Sequence, residues 1–167
     1  MVPETVLRRL VSTSPEATEA LGACLATLAT PGSVFGLDGD LGAGKTCLVR
    51  GFARGLGVSE PVSSPSFTLM HEYPGRLTLY HLDAWMQARG EAFLQDGGSE
   101  WLRADGVALV EWAERLEGWL PGDRVRVRLS HAGPEERGIE LECRGGPSAL
   151  MAALAALAPP PGVREAR

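Results

Sequence analysis

The run Gly39-Asp40-Leu41-Gly42-Ala43-Gly44-Lys45-Thr46 sets a lysine and a threonine behind three glycines, in the spacing G-x-x-x-x-G-K-T. Glycines let a backbone close around phosphate oxygens, a lysine in this position reaches the β- and γ-phosphates, and the hydroxyl beside it can ligate Mg²⁺. With the glycine, lysine and Ser/Thr usage of this chain, chance would supply roughly one or two such matches per thousand chains. Lysine usage sharpens the point, because of 16 basic residues only Lys45 is a lysine. Arginine is a broad planar fork and lysine a compact charge on a flexible stem, so the two are not exchangeable inside a tight phosphate loop.

Two acids compete for the metal. Glu111 follows Val107-Ala108-Leu109-Val110, which reads as a strand buried on both faces, and Asp83 follows the more alternating Leu79-Tyr80-His81-Leu82. Glu111 is the preferred Mg²⁺ carboxylate, direct or through water, with Asp83 near the γ-phosphate or the attacking water. Either acid could instead cap the next element. His81 reads first as a structural residue and second as a phosphate contact, and Trp112 first as a core or interface aromatic and second as a nucleotide platform. Ser63-Ser64-Pro65-Ser66-Phe67-Thr68 lies between the phosphate loop and Asp83, where phosphate-loop enzymes often carry a γ-phosphate sensor; a plain hydroxyl-rich turn is an equal alternative.

These residues need a scaffold. Val6–Val11 reads as a strand, and Ser14-Pro15-Glu16 as the start of a helix to about Ala29. Ser33–Asp38 is a strand feeding the glycine loop, and Lys45 opens a helix ending near Gly55 or Gly57. Phe67–Tyr73 and Leu77–Asp83 suit a hairpin, Glu91–Arg103 a helical region, Val107–Val110 a strand and Glu114–Leu120 a short helix. Arg124–Ser130 and Ile139–Arg144 suit a closing antiparallel hairpin. Gly145–Arg167 is expected to be a docked helix followed by disorder. The fold class is therefore α/β: one phosphate-loop domain over residues 1–144, with a mixed, mostly parallel sheet flanked by helices, then an Ala/Pro-rich tail over 145–167.

Composition excludes other classes. A chain of 167 residues with 44% hydrophobic content buries roughly 70% of its unfolded surface and needs no staples. Its longest apolar stretch, near Leu150–Ala158, falls short of the roughly 20 residues of a membrane span. Met1–Ser12 lacks the apolar segment of a secretory signal, so a cytoplasmic protein is expected. Cys24, Cys47 and Cys143 are odd in number and far apart, against both a disulfide framework and a zinc site. A net charge of -5 argues against a stand-alone nucleic-acid binder.

Together the motifs resemble the bacterial TsaE (YjeE) family, small ATPases of tRNA threonylcarbamoyladenosine biosynthesis. The family's ordered segments G-D-L-G-A-G-K-T, S-P-T-[FY]-x-L, H-x-D-x-Y-R and I-E-W correspond to Gly39–Thr46, Ser64-Pro65-Ser66-Phe67-Thr68-Leu69, His81-Leu82-Asp83-Ala84-Trp85-Met86 and Val110-Glu111-Trp112. The resemblance covers about Ser14–Arg144. It implies ATP and Mg²⁺ as ligands, with Lys45, Thr46, Asp83 and Glu111 running the ATP cycle and the Ser64–Thr68 loop and Trp112 reporting nucleotide state to a partner. It also implies that Ser14, Thr18 and Arg137 lie near the adenosine. Partners would be TsaD-like and TsaB-like proteins, which modify adenosine 37 of tRNAs reading ANN codons; tRNA would be met only through that complex, and the chain alone would be a monomer. Trp85-Met86 departs from the family's Tyr-Arg, so that arginine's task is absent or passes to another residue such as Arg89.

Other functions remain open. Guanine selection by N-K-x-D is disfavoured, since the only lysine is already used. A small-molecule kinase would use Arg50, Arg54 or Arg89 as phosphoryl clamps. A non-catalytic nucleotide-gated module would bind without turnover. Arg124, Arg126 and Arg128 alternate with apolar residues on one strand face, reading as a tRNA or acidic-partner contact or, more simply, as a solvated sheet edge.

Overall fold

Val107-Ala108-Leu109-Val110 is apolar throughout because it lies in the middle of a sheet covered on both sides. Val107 and Leu109 enter one hydrophobic cluster, Ala108 and Val110 the other. The structure, a computed structural model, describes residues 3–103 and 105–167, so the first two residues of the N-terminal reading lie outside it. In chain order the regular elements are β1 (Thr5–Ser12), α1 (Pro15–Ala26), β2 (Val34–Asp38), α2 (Lys45–Gly55), β3 (Met70–Tyr73), β4 (Leu79–Asp83), α3 (Gln87–Gln95), β5 (Val107–Glu111), β6 (Val125–His131), β7 (Arg137–Arg144), α4 (Ser148–Ala155) and β8 (Val163–Glu165), with 3₁₀ turns at Gly98–Arg103 and Ala113–Leu116. The strands form one sheet in the order β3-β4-β5-β2-β6-β7-β1-β8. Its core, β4-β5-β2-β6, is parallel, and the strands on either side join antiparallel. This is the expected α/β class.

One end of the sheet gathers the chemistry. β1, β2, β4, β5 and β6 finish there and β7 and β8 begin there, which brings Ser12, Asp38, Asp83, Glu111, Arg137 and Val163 to a common edge. α1 and α2 cross on one face, and they do so closely because Gly22, Gly51 and Gly55 have no side chain. A Cβ at those positions would run into the backbone of Leu48, Glu19 and Ala23 respectively. Ser14 caps α1, its Oγ accepting from the Ala17 N–H at 3.1 Å.

Several expectations change, the short helix expected over Glu114–Leu120 among them, which is only the 3₁₀ turn Ala113–Leu116. The strand after the serine loop begins at Met70, not Phe67. Leu69 turns the chain with φ 72°, its N–H bonded to the Pro65 carbonyl, and the Asp83 N–H bonds to the Leu69 carbonyl. The third helix begins at Gln87, earlier than Glu91, and stops before Gly97, which takes φ 106°; only a 3₁₀ turn follows. The arginine stripe is not an edge, because β6 lies inside the sheet between β2 and β7. Arg124 is buried, precedes the strand and pairs with Glu117; Arg126 pairs with Glu117 at 2.7 Å, and Arg128 with Glu140 at 2.7 Å and Glu142 at 3.0 Å. Disorder after the C-terminal helix is also corrected, since Val163–Glu165 forms β8 against β1. Arg8 of β1 ties the tail down, its Nη1 donating to the Leu154, Ala155 and Leu157 carbonyls at 3.1, 3.1 and 3.0 Å while Nη2 meets Glu165.

Candidate functional site

The chain leaves β2, turns through the glycines and enters α2. Gly39, Gly42 and Gly44 take φ of 148°, 76° and 106°, where a side chain would strain the backbone. Gly44 occupies the N-cap of α2 and has no side chain to offer, so the first N–H groups of the helix stay open for phosphate oxygens. Lys45 is only 5% exposed. Its Nζ donates to the Gly39 carbonyl and, at 2.9 Å, to that of Asp40, and lies 3.8 Å from the centre of the Trp112 ring. Burial lowers the Lys45 pKa, opposed by the negative charges of Glu111, Glu114, Asp83 and Asp40.

Glu111 stands at the centre. Thr46 Oγ1 donates to its carboxylate at 3.0 and 3.3 Å, and His81 Nε2 meets it from behind at 3.0 Å. His81 is wholly buried, so its role is to hold Glu111 and not to meet phosphate. β4 and β5 set Asp83 directly beside Glu111 in register. Asp83 Oδ2 accepts from Ser64 Oγ at 2.6 Å and Ser66 Oγ at 3.1 Å, and Oδ1 accepts from the Trp85 N–H at 2.8 Å. Asp83 is thus the anchor of the serine loop.

These groups share a cleft of about 550 Å³ lined by the phosphate loop, Ser64, Ser66, Phe67, Asp83, Glu111 and Trp112. Cys47, Trp85 and Met86 also line it, contacts that the motifs do not assign; Trp85 and Met86 stand out in the sequence only as a departure from the family pattern. Trp112 takes φ 58° and packs against Trp85 with ring centres 4.8 Å apart, and the Arg115 guanidinium lies 4.6 Å from each ring. Pro65 and Thr68 shape the loop from outside the cleft, Thr68 Oγ1 bonding to His71 at 2.9 Å. Ser14, Thr18 and Arg137 stand on the opposite flank of the phosphate loop. Arg137 Nη2 donates to the Gly42 carbonyl at 3.5 Å, and buried Thr18 bonds Ser12 at 2.7 Å. Arg50, Arg54 and Arg89 do not line the cleft; Arg54 pairs with Glu19, and Arg89 donates to the Phe67 carbonyl at 3.0 Å. The geometry therefore offers no kinase clamp from those three.

Glu114, one turn beyond Glu111, was not foreseen. Burial, together with the adjacent Asp38 carboxyl, pushes its pKa up to about 7. Among the described residues no group of three His, Cys, Asp or Glu could hold a metal ion. One hydroxyl and one carboxylate at 3.0 Å suit an ion that keeps its waters and binds phosphate oxygens, which is the habit of Mg²⁺.

Comparison with known proteins identifies the family. The family model "Threonylcarbamoyl adenosine biosynthesis protein TsaE" matches residues 12–139. A Bacillus subtilis protein named tRNA threonylcarbamoyladenosine biosynthesis protein TsaE is 44% identical over 134 residues, 79% of this chain and 83% of its own length. A Treponema pallidum protein of the same name is 45% identical over 121 residues, 72% of this chain and 90% of its own. The crystal structure of Bacillus subtilis YdiB superposes with a TM-score of 0.78 at 35% identity, covering 91% of this chain and 95% of that one. With its loop, both strand-end acids and the serine loop on the matched stretch, the chain belongs to the TsaE family of threonylcarbamoyl adenosine biosynthesis proteins.

Proposed function

We propose that the chain binds and hydrolyses ATP with Mg²⁺, and that this cycle supports formation of threonylcarbamoyladenosine at position 37 of tRNAs reading ANN codons, in the cytoplasm and together with TsaD-like and TsaB-like partners. The observation that carries the reading is the line His81–Glu111–Thr46, which ends at an open helix N-terminus beside the only lysine of the chain. Mg²⁺ held by Thr46 and, directly or through water, by Glu111 would neutralise charge on the β- and γ-phosphates. Lys45 would exchange its two loop carbonyls for phosphate oxygens. Ser64 and Ser66, now bonded to Asp83, would be shared with the γ-phosphate, so the loop would change with nucleotide state. Leu41 and Phe67, 77% and 86% exposed at the mouth of the cleft, suit a protein partner better than water. Chemistry on the tRNA would then belong to the partners.

The test is reconstitution of tRNA modification with purified partners, comparing wild type with Lys45→Ala and Glu111→Ala. Wild type should support repeated turnover, while both variants lose it and hydrolyse ATP about a hundredfold more slowly or worse. Full multi-turnover modification by either variant would sink the ATP-cycle role. Tight ATP binding by wild type without hydrolysis, alone or with partners, would make the chain a nucleotide-gated module instead.

A further inference from the structure

Residues 145–167 lie beyond the stretch that matches the family model, yet part of this tail reaches the nucleotide end of the sheet. Pro160-Pro161-Gly162-Val163 is a type II turn: Gly162 takes φ 82°, and the Val163 N–H bonds the Pro160 carbonyl at 3.0 Å. From that turn the chain clamps the junction of β1 and α1. Thr13 donates to the Gly162 carbonyl twice, from its N–H at 2.9 Å and from Oγ1 at 3.0 Å. Val163 pairs with Ser12, and the Ala166 N–H bonds the Arg9 carbonyl at 2.8 Å. The fit is tight enough that a Cβ on Gly162 would stand 2.8 Å from that of Ala17.

That junction in turn faces the phosphate loop. Ser12 pairs with Arg137, which reaches the Gly42 carbonyl, and bonds Thr18, whose methyl would stand 3.8 Å from a Cβ on Gly44. Cys47 of α2 donates to the Pro15 carbonyl at 3.1 Å. Sheet order fixes which part of a nucleotide lies here. Glu111 and Asp83 flank β2 on one side, so a triphosphate with its γ-end toward them lays its nucleoside on the other side, over β7, β1 and the start of α1.

Resting on the ATP reading above, we infer that the C-terminal strap, residues 159–166, is a positioning element for the nucleoside: it sets the β1–α1 junction that receives the adenosine and leaves the triphosphate cradle alone. The experiment measures Mg²⁺-dependent binding of ATP and of inorganic tripolyphosphate to the wild-type chain, to Thr13→Val, to Gly162→Val and to a chain lacking residues 159–167. Thr13→Val and Gly162→Val keep the strap covalently in place should the deletion fail to fold. Each variant is expected to bind ATP about tenfold more weakly and tripolyphosphate as wild type does, and Thr13→Ser, which keeps the hydroxyl, restores ATP affinity. Parallel loss of both ligands would reduce the strap to a general fold support and overturn the inference. Unchanged ATP affinity in all variants would overturn it as well. Failure of the wild type to bind ATP would instead remove the parent reading, and this one with it.

Discussion

His81 and Glu114 are the two residues whose neighbours matter most and whose types said least. A histidine inside a strand reads as structural, and so it is, but what it supports is the one carboxylate bonded to Thr46. With Glu111 proposed to hold Mg²⁺, removing this outer partner would lower metal affinity or activity about 10–100-fold. His81→Ala is therefore expected to shift the Mg²⁺ dependence of ATP hydrolysis upward by that factor; an unchanged Mg²⁺ titration would leave His81 a core residue only. Glu114 makes a pH prediction. Its carboxyl is usually near 4.5 and rises to about 7 in the fold, so the folded chain binds the extra proton between those values and stability falls as pH rises through that window. Glu114→Gln should remove this fall and stabilise the chain above pH ~7. The side chain keeps contact with solvent, so the gain is expected to stay below about 1 kcal/mol. Chemical denaturation of both chains at several pH values checks it, and parallel pH profiles would refute it. Neither role was readable in advance, because each depends on which groups the fold sets side by side, whereas Lys45 and Thr46 announce themselves by spacing within one short loop.

At the level of elements, the crossing of α1 and α2 decides how the phosphate loop is held. Gly51 sits against the backbone of Glu19, so no side-chain rotamer relieves a larger residue there. Gly51→Val should cost about 1–3 kcal/mol through overpacking, which lowers Tm by roughly 2–4 °C per kcal/mol, and should weaken nucleotide binding because α2 carries Lys45 and Thr46 on its first turn. Calorimetry with a nucleotide titration would show both effects, and a Tm equal to wild type would contradict the crossing. Strand and helix types followed well from periodicity where the core enforces it, as in β5 and α2. They failed where local chemistry lost to a distant contact. Ala- and Pro-rich composition suggests a loose end, yet the tail is ordered by a buried Val163, the Pro160–Val163 turn and the guanidinium of Arg8, all of which depend on β1 lying alongside. Likewise the alternating arginines suggest an exposed edge only until Glu117, Glu140 and Glu142 are placed opposite them.

Across the whole molecule, the single sheet couples the nucleotide cleft to global stability. ATP with Mg²⁺ at a hundredfold excess over Kd adds about 2.7 kcal/mol, so Tm should rise by roughly 5–10 °C for a chain of this size. Thermal unfolding with and without nucleotide measures this directly, and no shift at saturating ATP would count against the binding site itself. The acidic net charge of -5 and the paired arginines of β6 leave no large unpaired basic stripe on that strand, which fits the proposal that tRNA is met through partner proteins. A different consequence lies in the pairing of β1. It is the first strand to leave the ribosome, but its partners are β7 and β8, the last strands to be made. At ~5–20 residues per second the interval is on the order of ten seconds, during which the alternating apolar residues Val6 and Leu10 have no sheet to join. Such long-range pairing slows folding, and it places the completion of the Ser12–Arg137 flank of the cleft after synthesis. A nascent chain would carry the glycine loop early and complete the nucleoside flank of its cleft only when its final strand arrives.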